Sequence, residues 1–162
     1  DLDLVKRAST ALDFALNQFP NNLSLSLIKV DLLNKNQKYN ESFDLLNNLN
    51  HFFPKNIDIT LNVAKLYALN NEISNAVKFI EIAYNLILLD TSCSEMLSEV
   101  AFEYLQIGQN EKAIGVMKKI LEIDPYNEST MMELGVAFHE TGLFQEAIEY
   151  FDKTIEIRNQ NY

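Results

Sequence analysis

Few side chains in this sequence could do chemistry, and their spacing limits what that chemistry would be. His51 and His139 stand far apart, and neither belongs to an H-x3-H or H-E-x-x-H pattern that would hold a metal from one helix face. His139 is followed by Glu140 but by no second histidine. Cys93 is the single cysteine, which excludes an internal disulfide and a cysteine-built metal site. No histidine lies near it in sequence to activate the thiol. Glu146 and Glu149 have the spacing of neighbours on an exposed helix face, not of a buried acid–base pair. The glycines Gly108, Gly115, Gly135 and Gly142 are scattered and form no phosphate-cradling loop. Asn22-Leu-Ser24, Asn40-Glu-Ser42 and Asn127-Glu-Ser129 match the glycosylation triplet, yet each coincides with a helix start and reads as a cap. The expectation is a non-enzymatic protein with no catalytic residue, no metal and no cofactor.

Composition narrows the partners. The 162 residues carry a net charge of −10, which repels nucleic-acid phosphates and anionic lipid. Lys6–Arg7 and Lys118–Lys119 are the only adjacent basic pairs, too few for a basic stripe, so no nucleic acid is expected. No apolar run is long enough to span a bilayer; the longest candidate, Ile80 to Leu89, is interrupted by Glu81 and Asn85. Membrane insertion is not expected, and a lone cysteine with no signal peptide suggests a cytoplasmic setting. With 4 Gly and 3 Pro the chain has few helix breakers, and Asn clusters supply turns in their place.

The elements that position these side chains follow a repeat. Over Ser94–Asn127, Leu97, Val100, Ala101, Tyr104, Gly108, Ala113, Met117 and Pro125 occupy positions that recur over Glu128–Asn161. There they are Met131, Leu134, Gly135, Phe138, Gly142, Ala147, Phe151 and Asn159. A period of about 34 residues with this pattern marks a helix-turn-helix repeat. The frame extends backwards. Residues 57–93 form a unit three residues longer, with the surplus in Leu86 to Cys93, so its second helix runs on or its linker loops out. Thr91 and Ser92 are cap candidates for the helix that follows. Residues 23–56 keep the frame weakly, with Lys29 where Val100 and Leu134 stand later and with Phe43 and Phe52 as bulk. Residues 1–22 read as the second helix of a truncated unit, with Ala8, Leu12 and Ala15 on one face ahead of Pro20. This gives a single array of about nine helices, 1–162, divided at 1–22, 23–56, 57–93, 94–127 and 128–161. The missing first helix suggests a piece of a longer array. Within a unit, Gly135 and Ala147 are expected to let two helices approach, with Met131, Leu134, Phe138, Phe151 and Ile155 filling the space between them.

The spacing Met131-x2-Leu134-Gly135-x2-Phe138, then Ala147-x3-Phe151, resembles the tetratricopeptide repeat, with Met for its usual Trp. The resemblance implies an all-α fold, a right-handed α-solenoid of antiparallel helix pairs whose first helices line a concave groove for a peptide or helix of a partner. The family's groove positions fall here on Leu61, Lys65 and Ala68, then Glu95, Phe102 and Leu105, then Met132, Val136 and His139. Phe102, Leu105, Met132 and Val136 would make an apolar floor with an acidic edge, suited to an apolar helix with basic flanks. The subtype that grips a chaperone peptide's carboxylate finds only Lys65 and Asn34 at suitable positions, opposed by Asp31 and Glu95. Counted by unit, net charge runs −1, +1, −2, −3 and −5, with Glu140, Glu146, Glu149, Asp152 and Glu156 crowding the last. The leading expectation is a protein-interaction scaffold. The alternatives are a self-associating module that pairs through its array ends, with Ile148, Tyr150 and Ile155 contributing, and the regulatory arm of a catalytic parent.

Overall fold

The computed structural model describes residues 2–89 and 94–160, and these form nine helices with no strand. They are α1 (Leu2–Gln18), α2 (Leu23–Lys35), α3 (Tyr39–Phe52), α4 (Ile57–Leu69), α5 (Ile73–Leu89), α6 (Ser94–Gln106), α7 (Asn110–Ile123), α8 (Glu128–Glu140) and α9 (Phe144–Gln160). The fold is all-α, as the 3.6-residue periodicity predicts.

Local chemistry sets the helix ends. Asn22, Asn56 and Asn127 cap α2, α4 and α8, each side chain accepting a hydrogen bond at 3.0 Å from the amide three residues on. Each satisfies one of the four amides a helix start leaves unpaired. Asn40 does not cap: it lies inside α3, whose N-cap is Lys38 with no side-chain hydrogen bond. The turn inside each helix pair contains one left-handed residue, in succession Gln37, Asn71, Gly108 and Gly142, with φ of 58°, 61°, 72° and 79°. Only glycine adopts this backbone without steric cost. Nothing lies within 4 Å of a Cβ built on Gly142, so Gly142→Ala should cost about 1 kcal/mol through the backbone alone. Gln37→Gly should leave stability within about 1 kcal/mol of wild type, strain relief offsetting the entropy gained by the unfolded chain. Urea titration of the two variants checks the contrast.

The longer unit resolves in favour of a longer helix. α5 has 17 residues against 14 in α7, so Ile87, Leu88 and Leu89 absorb the surplus. Thr91, Ser92 and Cys93 lie outside the described residues.

The chain divides into two compact units, Asp1–Phe79 and Ile80–Tyr162. In the first, Val30, Leu46, Leu49, Ile59, Val63 and Leu66 form the core. Phe43 meets Tyr67 edge-on at 5.2 Å, and Tyr67 stacks on Phe79 at 5.3 Å. Phe52, expected to add bulk there, is exposed. Lys29 occupies a position that is apolar in the later units because its ammonium reaches across to α1, 2.7 Å from Asp13 and 3.4 Å from Ser9. Its stem packs while its charge stays paired near solvent.

In the second unit Leu97, Val100, Ala101, Tyr104, Ala113, Met117, Leu134, Phe138 and Ala147 are all buried. Phe138 stacks on Tyr150 at 5.5 Å. Gly135 makes room for Phe151: a Cβ on Gly135 would stand 2.4 Å from the Phe151 ring. One expectation is corrected here. Ile155, expected inside, is exposed.

Candidate protein-binding surface

Within the second unit α6 and α8 present inward and outward faces set by helical spacing. On α6, Leu97, Val100, Ala101 and Tyr104 point into the core, leaving Phe102 55% exposed and Leu105 half-buried. On α8, Met131, Leu134, Gly135 and Phe138 point inward, leaving Met132 40% and Val136 46% exposed. The outward residues occur one repeat apart, Phe102 with Val136 and Leu105 with His139. Glu95 and His139 are exposed, and the His139 ring meets Phe144 edge-on at 5.5 Å. Large apolar side chains left in water at equivalent positions of two helices make a surface that costs free energy until something covers it.

The other three expected groove residues lie on α4, in the first unit. Leu61 is 1% exposed, and Lys65 and Ala68 are half-buried. Leu61 therefore offers no surface to a partner. Ile59, Thr60, Leu61, Val63, Ala64 and Leu66 are all buried, and Asp58, Asn62 and Lys65 form a half-buried polar stripe on the same helix.

Two hollows add residues that spacing did not single out. A cavity of about 320 Å³ beside the start of α6 is lined by Glu95 and Ser98 together with Ile123 and Asp124 from the end of α7. The signal for Ile123 is an exposed apolar residue in a last helical turn, where polar side chains are usual. The second hollow, about 340 Å³, lies among Glu81, Tyr84, Tyr104, Lys112, Gly115 and Val116. Burial, with smaller contributions from Glu81 and Tyr84, pushes the Tyr104 phenol up to about 12, so it stays protonated at neutral pH and serves as a packing group. Lys112 pairs with Glu81 and lies 5.8 Å from the Tyr104 ring centroid.

The candidates for chemistry are dispersed. His51 is exposed against Phe52, and Glu149 is paired with Lys153 at 2.6 Å. Among the described residues no three His, Cys, Asp or Glu gather as a metal site would require. No helix among them is long and apolar enough to cross a membrane.

A family model described as tetratricopeptide repeat matches residues 94–127 and 129–161, the two units in which this surface lies. These two units match the tetratricopeptide repeat, and the chain shares the fold of solved tetratricopeptide-like solenoids. A curated relative, small glutamine-rich tetratricopeptide repeat-containing protein 2 of Mycosarcoma maydis, is 36% identical over 64 residues, which are 40% of this chain and 18% of that protein. The chain thus spans about a fifth of that relative's length. Among solved structures, a Podosopora anserina putative kinesin light chain with nearly identical TPR-like repeats superposes with a TM-score of 0.72 at 18% identity. That match covers 97% of this chain and 88% of the other. MamA from Desulfovibrio magneticus RS-1 superposes with a TM-score of 0.67 at 15% identity, covering 96% and 86%. At these identities the likeness is one of fold. Tetratricopeptide repeats are in general protein-interaction scaffolds, and this repeat protein shares that architecture.

Proposed function

We propose that this repeat protein is a non-catalytic scaffold that takes an apolar, helical segment of a partner protein on the outward face of α6 and α8. The observation that carries the reading is the exposure of Phe102 and Val136 at equivalent positions of two regular repeats, with Met132 exposed one turn before Val136. An amphipathic helix would cover them with its own apolar stripe. The acidic residues around them, Glu95, Glu99, Glu133 and Glu140, are all exposed and favour basic flanks on the incoming segment. The aromatic Phe102 is the natural anchor, since rigid aromatic side chains dominate such contacts. Leu105 and His139 extend the surface towards the helix ends. Lys65 and Ala68 belong to a different unit and are not needed by this reading.

Selection from a displayed library of helical peptides tests it. Selected peptides should carry an apolar stripe and basic flanks, and their binding should weaken with added salt. Phe102→Ala should lower affinity by about tenfold, while Phe52→Ala, an exposed aromatic elsewhere, should not. Unchanged binding by a folded Phe102→Glu, Met132→Glu variant rejects the surface as the docking site.

A further inference from the structure

The second helix of each pair contains a small residue closed over by its neighbours. Ser42 in α3, Ala76 in α5, Ala113 in α7 and Ala147 in α9 are all 2% exposed or less. The equivalent residue of α1 is Ala8, and it is exposed. One turn on, Leu46, Ile80 and Met117 are at most 1% exposed, whereas Leu12 is only half-buried. This face of α1 forms one wall of a groove of about 470 Å³ whose floor is Leu12, Ala15, Leu25 and Ile28. Lys35 lines it with Asp31, and the adjoining hollow on α1 is lined by Lys6, Arg7 and Phe14. The groove is thus apolar and sized for helix side chains, with one cation and one carboxylate in its lining and two further cations in the adjoining hollow.

The complementary surface is on α9. Phe144, Ile148 and Ile155 are 59%, 53% and 56% exposed and fall on one stripe of that helix. Glu149, Asp152 and Glu156 run along the stripe, all exposed.

We propose that two copies of this chain associate head to tail, α9 of one copy seated in the α1–α2 groove of the next. The apolar stripe fills the groove, and the acidic edge meets Lys6, Arg7 and Lys35. The contact joins unlike surfaces, so it leaves one of each open and the assembly grows with concentration.

Analytical ultracentrifugation of the full chain with two blocked variants tests this. Ala8→Glu with Ala11→Glu closes the front, and Ile148→Glu with Ile155→Glu closes the rear; all four residues are exposed, and circular dichroism checks helicity. Wild type should gain mass with concentration, less so at high salt. Each blocked variant alone should stay monomeric, and an equimolar mixture should give a heterodimer that grows no further. Should the alanine variant lose helicity, Arg7→Glu replaces it and should raise the half-association concentration by about tenfold. A wild-type chain monomeric at every concentration, a monomeric mixture, or self-association by the front-blocked variant alone would each overturn the proposal. Phe102→Glu should leave the mass profile unchanged; its loss of association would move the contact to the α6–α8 surface and overturn the proposal too.

Discussion

Leu134→Ala should lower stability by about 2–5 kcal/mol. Leu134 is 0% exposed in the middle of α8, which packs against both α7 and α9. Removing its branched end takes apolar surface out of a close-packed interior, and the helices on either side collapse only partly into the space. One turn of the same helix provides the control. Val136 is 46% exposed, and Val136→Ala should change stability by no more than about 0.5 kcal/mol. The corresponding position in the second repeat of the frame holds Lys29, and there truncation removes an ion pair with Asp13, whose side chain is 55% exposed, rather than core. Lys29→Ala should therefore be milder than Leu134→Ala. Denaturant unfolding of the three variants compares them. Equal losses for Leu134→Ala and Val136→Ala would mean that α8 is not packed as described.

Gly135→Ala should destabilise by about 1–3 kcal/mol, although alanine is the better helix former. In an exposed helix the exchange would gain about 1 kcal/mol. Here the new methyl group would stand 2.4 to 2.9 Å from three atoms of the Phe151 ring, well inside contact distance. The ring is half-buried between α8 and α9, so it moves only by giving up packing. Phe151→Leu removes the ring edge, and adding it should recover most of the loss caused by Gly135→Ala. A double-mutant cycle measures that coupling, which should be favourable for the pair beyond simple addition. A Gly135→Ala variant with a raised melting temperature would contradict the close approach.

Much of the helical layout was legible because its signals are local. Asn22, Asn56 and Asn127 stand where a capping side chain must, and the chain turns back at Gln37, Asn71, Gly108 and Gly142 at the same point of each pair. Asn40 shows the limit of such signals: it has the right type near the right place, but α3 starts one residue earlier. Phe102, Met132 and Val136, which the family resemblance implies as groove positions, are exposed. Leu61 holds the equivalent place on α4 and is nevertheless buried.

The sequence by itself determined the helix count, the frame of the repeats and the residue types on each helix face. Periodicity, caps and turn residues act within a few positions of one another, so they can be read along the chain. Tertiary structure alone decided which faces remain in water. It buried Leu61, exposed Phe52 and Ile155, set the Phe151 ring against Gly135, and gave Lys29 its partner on α1. Burial depends on what arrives from distant parts of the chain, and helical spacing states only which side of a helix is apolar, not what covers it.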